Sequence, residues 1–569
     1  KKLSAIRGYI IIIIYTNLSR IMKTRTITII IGVIAILGLV SGLLVWGLTD
    51  RGSREGPTIS TNKGLIRGLI ADDGDYYKFQ GIPYAVVNES NPFRVSFDSI
   101  FYANQIATEC PQVINGQTKG EIQCLELDIY VPQSASAENR LPVLVWIHGG
   151  GWVEGSTIRE GSKSQFLLRH DVIVVALNYR LGVFGFICAD SPELPGNQGL
   201  KDQVLALRWI NENIEPFGGD ASKITVFGES AGGMSANLHL YSPHEKLFHQ
   251  TIIQSGPALS YWLFVPSGPS VPFRLAEHLG YNATDIRDAL SFLSGRDPYD
   301  VVIAGNELRT FDSPFETKPC VEKPFDGVEI FMPEHPMNVR NAPKVANTKI
   351  ILGYNNMELG MLFSRNEEFF ENYSFTEQLY MGFPEGGNYD EALKTIGHFY
   401  LGDEHISYDM RHKIVDYASD IIFAHSSRRM IKQLVEDGSP SVYSYVFSHS
   451  GERNVLKIVT GVNETGAIHS DELGYLFNMA RFTDPPNAVD QLVIDRMTTL
   501  WTNFAKYGDP TPETTNLLPF KWPSVTNTTK PHLDMNVEFT VQGRPINRRN
   551  AFWDLFYRLY GKYQMWYKD

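Results

Sequence analysis

Four apolar runs punctuate the chain, and each stops at a cluster of glycine or polar residues. Leu141 to Ile147 ends at His148-Gly149-Gly150-Gly151-Trp152, and Val172 to Leu177 runs into Asn178-Tyr179-Arg180-Leu181-Gly182. Ile224 to Phe227 meets Gly228-Glu229-Ser230-Ala231-Gly232, and Lys349 to Gly353 meets Tyr354-Asn355-Asn356-Met357-Glu358. Apolar runs without polar alternation predict strands buried on both faces, as in parallel sheets covered by helices. Helix-compatible stretches between them, such as Ala231 to Leu240, fit the crossover connections such a sheet requires. Functional groups in these sheets gather beyond the carboxyl ends of the strands.

A different apolar pattern lies near the start. No charge occurs between Arg25 and Asp50, and Ile27 to Leu48 is almost wholly apolar, long enough for a helix to cross a bilayer. Lys23 and Arg25 precede it, which would hold the amino end in the cytoplasm. A cleaved signal peptide has an apolar core of only about 7–15 residues and a small-x-small site. This run is longer and has no clear site, so an uncleaved signal anchor over residues 26–49 is expected, with a cleaved signal peptide as the alternative. The chain begins with Lys1, and five isoleucines, Ile10 to Ile14, precede Met22. Residues 1–21 are therefore read as a non-native or upstream extension and 22–55 as the signal segment. Pro and Gly are scattered from Gly56 to Tyr560, with no linker, repeat or low-complexity tract, so 56–569 is expected to be one large domain although its length alone suggests several.

The formal charge of -12 opposes a nucleic-acid footprint, which needs clustered Lys and Arg. The four cysteines are too few for a disulfide-built scaffold. Cys110 and Cys124 bracket a loop containing Gly116 and Gly120 and suit one surface bridge; Cys188 and Cys320, beside apolar or small residues, read as buried free thiols. Sequons stand at Asn88, Asn282, Asn372, Asn463 and Asn527, and the targeting segment makes them candidates for glycosylation.

The chemistry centres on Ser230 in Gly-Glu-Ser-Ala-Gly. A sharp strand-to-helix turn exposes a serine hydroxyl only when its neighbours are small, and Gly228 and Gly232 sit two residues either side. Gly149, Gly150 and Gly151 after a buried strand offer backbone N–H groups without side-chain obstruction, as a developing oxyanion needs. Glu358 lies past a strand end, a candidate acid. If the order is Ser, acid, His, the base is one of His398, His405, His412, His425, His449, His469 and His532. His469 stands out in the short polar loop before Leu473 to Met479, but spacing leaves the choice open.

Together these residues resemble the type-B carboxylesterase and cholinesterase family, from about Gly56 to Phe556. The resemblance rests on Gly81-Ile82-Pro83-Tyr84, the glycine loop, Asn178 to Gly182, Leu194-Pro195-Gly196-Asn197-Gln198-Gly199, the serine turn, Gln254-Ser255-Gly256 and Trp501-Thr502-Asn503-Phe504-Ala505. It implies an α/β-hydrolase fold with a large, mostly parallel central sheet flanked by helices. It also implies Ser230 as nucleophile, Glu358 as acid, His469 as base, and an oxyanion hole from the N–H groups of Gly150, Gly151 and Ala231. The activity implied is hydrolysis of a small-molecule carboxylic ester through an acyl-enzyme, with no metal or organic cofactor and the catalytic domain outside the cytosol, membrane-anchored or secreted.

Departures narrow this expectation. Residues 111 to 123 contain no aromatic, whereas cholinesterases hold a quaternary ammonium there with a tryptophan. Glu229 stands where juvenile hormone esterases usually carry glutamine. Ile122 and Pro92 match the positions of a family ion pair, and the family's second disulfide is expected to be missing. Trp152, Tyr261, Trp262 and Phe264 are candidates for an apolar pocket, with plain core as the alternative. The competing function is that of the membrane-anchored adhesion proteins in the family, which keep the fold and lack a working triad.

Overall fold

The computed structural model describes residues 55–566 except 88–94, 97–106, 158–163, 261–262, 310–316, 381 and 384–388. The expected extension and nearly all of the signal or anchor segment, together with Asn88, Pro92, Tyr261 and Trp262, lie outside the described residues.

Strands β1 (Glu55–Thr61), β2 (Gly64–Ile70) and β3 (Tyr76–Pro83) open the chain. Two small hairpins follow, β4 (Val86–Val87) with β5 (Val95–Ser96) and β6 (Gln112–Ile114) with β7 (Gln117–Lys119). The remaining strands are β8 (Glu126–Pro132), β9 (Leu141–Ile147), β10 (Ile173–Leu177), β11 (Gly219–Glu229), β12 (Gln250–Gln254), β13 (Lys349–Asn355), β14 (Val442–Phe447), β15 (His532–Met535) and β16 (Phe539–Gln542). Twelve of them form one sheet in the order β1-β2-β3-β8-β10-β9-β11-β12-β13-β14-β15-β16. The pairings from β10 through β15 are all parallel, and antiparallel strands flank that block on both sides. This is an α/β-hydrolase fold with a large, mostly parallel sheet.

Why the apolar runs lack alternation is visible in the packing. Along β9, Val143, Val145 and Ile147 enter one core with Leu200, Val204 and Leu207 of the helix Gln198–Asn213. Leu144 and Trp146 enter the other, with Val493, Met497 and Trp501 of the helix Ala488–Tyr507. Successive side chains of a strand point to opposite faces, so a strand covered on both faces needs apolar residues at every position. Each buried Val, Leu or Ile contributes about 1.5–3 kcal/mol relative to its exposed state.

The helices are delimited locally. Asn487 caps Ala488–Tyr507 by accepting from the N–H groups of Val489 and Asp490, and Gly508, at φ 67°, ends it in the left-handed conformation. Among the described residues, no helix is long and apolar enough to cross a membrane.

Two disulfides are present, Cys110–Cys124 and Cys188–Cys320. The second corrects the reading of Cys188 and Cys320 as free thiols and of a single bridge. Both residues are buried, but they meet across 132 positions. Asn197 fastens the Cys320 segment by donating from Nδ2 to its carbonyl and accepting its N–H at Oδ1. Gly196 leaves room, since a Cβ there would stand 2.5 Å from the Cys188 sulfur. Neither contact is local, so spacing carried no signal.

Candidate active site

The turn after β11 holds Ser230 at φ 56°, ψ -125°, a backbone conformation that L side chains rarely adopt. Such a residue costs about 1–3 kcal/mol and persists only when its surroundings fix it. They do so here: the Ser230 N–H donates to the Gln254 carbonyl at 2.9 Å, and the Ser230 carbonyl accepts from Met234 N–H at 2.8 Å. Close packing requires the glycines. A Cβ on Gly232 would lie 2.0 Å from the Ile147 carbonyl oxygen, and one on Gly228 would lie 2.5 Å from the Gly232 carbonyl carbon.

The glycine loop after β9 lies against this turn. A Cβ on Gly149 would stand 3.2 Å from the Ser230 Cβ. Gly150 and Gly151 have φ of 103° and 62°, and among the described residues no backbone hydrogen bond uses their N–H groups. Ala231 opens the helix Ala231–Leu238, so its N–H has no intrahelical acceptor. The amides of Gly150, Gly151 and Ala231 are thus left without a backbone acceptor among the described residues.

Glu358 and His469 are brought together by their own loops. Asn356 Oδ1 accepts the Ala467 N–H at 2.8 Å, Met357 N–H donates to Ala467 O at 3.0 Å, and His469 N–H donates to Glu358 O at 3.0 Å. The side chains then meet at 2.7 Å, His469 Nδ1 to Glu358 Oε2. Glu358 is fully buried, and its other oxygen accepts from Ser255 Oγ at 2.6 Å and Asn355 N–H at 2.8 Å. The Phe423 ring packs 4.9 Å from the imidazole. Of the competing histidines, His449 pairs with Asp490 at 2.8 Å and His425 with Asp554 at 3.4 Å, so each is engaged by a different acid.

Glu229, noticed in the sequence only as a subgroup marker, faces the other side of the ring, with Oε1 3.2 Å from His469 Nε2. It also accepts from Ser470 Oγ at 2.8 Å. Behind it Glu472 accepts from Gln254 Nε2 at 3.0 Å and Asn355 Nδ2 at 2.6 Å, and Trp501 Nε1 donates to Gln254 Oε1 at 3.1 Å. Burial pushes the Glu229 carboxyl up against the opposing pull of His469, with Glu472 and Glu358 adding like charge. Burial likewise pushes Glu472 up, with Glu358 adding to it. For His469 burial acts downward, but Glu229 and Glu358 outweigh it and raise the imidazole. Three carboxyl groups around one imidazole make proton affinity the property this site controls.

The remaining sequence motifs brace the loops. Asn178 Oδ1 accepts the Thr157 N–H at 2.8 Å, Tyr179 Oη donates to His148 O at 2.9 Å, and Arg180 forms a buried fork with Asp202 at 2.6 and 2.8 Å. Trp152 is fully buried and donates to Ser235 Oγ, and Phe264 is buried against His335 and Trp566, so both are core rather than pocket lining. Ile122, at a position of the lost ion pair, packs on apolar neighbours. Asn282, Asn372, Asn463 and Asn527 are exposed.

The Carboxylesterase family profile matches residues 55–553. The chain is 29% identical over 556 residues to juvenile hormone esterase of Tribolium castaneum, covering 87% of this chain and 93% of that protein. It is 31% identical over 531 residues to bile salt-activated lipase of Rattus norvegicus, covering 87% and 84%. Venom carboxylesterase-6 of Apis mellifera is 30% identical over 490 residues, covering 80% and 86%. The chain therefore belongs to the carboxylesterase family and is a carboxylic ester hydrolase.

Proposed function

We propose that Ser230 is the nucleophile, His469 the general base and Glu358 the residue that orients it, acting on small-molecule carboxylic esters. The supporting observation is the 2.7 Å contact of Glu358 with His469 Nδ1, which leaves Nε2 facing the strand end that carries Ser230. His469 takes the serine proton as the oxygen attacks the ester carbonyl. The N–H groups of Gly150, Gly151 and Ala231 receive the oxyanion, each such donor being worth about 2.7–4 kcal/mol. The protonated imidazole then gives its proton to the departing alcohol, and water repeats the attack on the acyl-enzyme. Glu358 fixes the tautomer and stabilises the imidazolium.

The favoured substrate lacks a choline head group, because residues 111–123 supply no aromatic for a quaternary ammonium. The protein works in the secretory pathway or beyond it. Two disulfides suit an oxidising compartment, and four exposed sequons, at Asn282, Asn372, Asn463 and Asn527, are open to glycosylation. Retention through residues 26–49 rests on the Ile27 to Leu48 apolar run alone. The adhesion reading has no observation in its favour that the hydrolase reading lacks. Turnover of 4-nitrophenyl butyrate and butyrylcholine tests the assignment: Ser230→Ala should abolish the first without lowering the melting temperature, and the wild type should prefer the uncharged ester. Undiminished turnover by Ser230→Ala would remove Ser230 from the mechanism.

A further inference from the structure

A second concentration of chemistry lies outside the triad. A cavity of about 540 Å³ opens beside the helix His425–Glu436, within the range of small-ligand sites. Six cationic side chains line it: Arg428, Arg429, Lys432, Lys530, Arg544 and Arg558. Among the described residues, two acidic ones, Glu436 and Asp554, share the lining, and Asp554 is already taken by Arg428 at 2.5 Å. Lys432 reaches Glu436 only at 3.6 Å, across an exposed i,i+4 spacing worth little. His425 adds no charge, since burial pushes it down to about 4.

The positive charge of the lining is only partly balanced among the described residues. Arg429 stacks over the Tyr557 ring at 4.1 Å, and its Nη1 is shielded from solvent with no hydrogen-bond partner among the described residues. A buried guanidinium N–H without an acceptor is uncommon in a finished structure. The Lys530 ammonium is pushed below the usual lysine range by burial and then by Arg544 and Arg428. Apart from the polar Ser444 and Asn527, the remaining lining is apolar or aromatic, including Ile431, Val525 and Tyr557.

We propose that this cavity binds a small organic anion, an apolar body bearing a phosphate or sulfate group. Guanidinium forks match the tetrahedral oxyanion in geometry as well as charge, while Val525, Ile431 and the Tyr557 ring receive the body. The site is separate from ester turnover in its residues, none of which belongs to the triad or the glycine loop.

The test is calorimetric titration with 2-naphthyl sulfate, 2-naphthyl phosphate and inorganic sulfate, on an Asn527→Gln background because that sequon opens on the same cavity. Lys432→Glu with Arg544→Glu reverses two exposed cavity charges; Lys63→Glu with Lys119→Glu makes the same net change at exposed positions outside it. Expected are one-to-one binding of at least one naphthyl ester, weaker binding of inorganic sulfate, and a loss of about tenfold or more in the cavity variant against little change in the control. No binding by the parent protein, or equal loss in both variants, overturns the proposal. Ester turnover is not the readout, so failure here is distinguishable from failure of the triad assignment.

Discussion

Glu229 Oε1 stands 3.2 Å from His469 Nε2, on the opposite side of the imidazole from Glu358. The imidazole of His469, the proposed general base, is therefore held between two carboxyl groups, and its proton affinity depends on both.

Glu229→Gln removes an ionisable carboxyl beside His469 while keeping an acceptor for Ser470. The imidazole is raised with Glu229 present, so its removal lowers it. A base works only when unprotonated, and activity climbs as pH rises through its pKa. The acid limb of the kcat/KM profile should consequently move to lower pH in Glu229→Gln. An unmoved limb would show that Glu229 does not act on His469.

Ser255→Ala tests the support behind the acid. Ser255 Oγ donates to Glu358 at 2.6 Å in a fully buried setting. A hydrogen bond to a charged group is worth about 1.5–3 kcal/mol, and loss of orientation should lower kcat by about ten- to a hundredfold with little change in KM. Equal losses in kcat and thermal stability, with KM raised, would point to a purely structural role.

Gly232→Ala should damage the serine turn, because its Cβ would lie 2.0 Å from a main-chain oxygen. Overpacking of this kind costs about 1–3 kcal/mol or more. Gly397→Ala, where a Cβ meets nothing within 4 Å and the residue lies in a helix, should be neutral or stabilising by up to about 1 kcal/mol. Thermal melting of the two variants compares them directly.

Removal of Cys188–Cys320 should cost more than removal of Cys110–Cys124. The bridges close separations of 132 and 14 residues, and chain entropy assigns them about 5 and about 3 kcal/mol. Denaturant midpoints of the paired Cys→Ala variants measure the difference; the reverse order would mean that local packing rather than loop closure dominates.

Much of the sheet was legible in the sequence because a strand covered on both faces writes itself as an unbroken apolar run. Leu141 to Ile147 is a strand with those bounds, and the run from Ile224 lies inside β11. Of the stretch Leu473 to Met479 that follows the His469 loop, Leu473–Leu476 is helical. The serine turn was legible because its glycines are forced by main-chain contact. What stayed hidden were relationships between distant segments: Cys188 with Cys320, Glu229 with His469, and Gln254 with Glu472 and Trp501. Glu229 carried a signal in its place next to Ser230, and Ser255 one in its place just past the β12 strand end. Neither position reveals which side chain it will touch.

The central claim is that Ser230 is an activated nucleophile. Treating the folded protein with a fluorophosphonate and mapping the adduct by peptide mass spectrometry tests it most directly. A single adduct on Ser230, absent from Ser230→Ala and much slower to form in His469→Ala, is the predicted result. A folded protein that remains unlabelled, or one labelled equally well after Ser230→Ala, would contradict it.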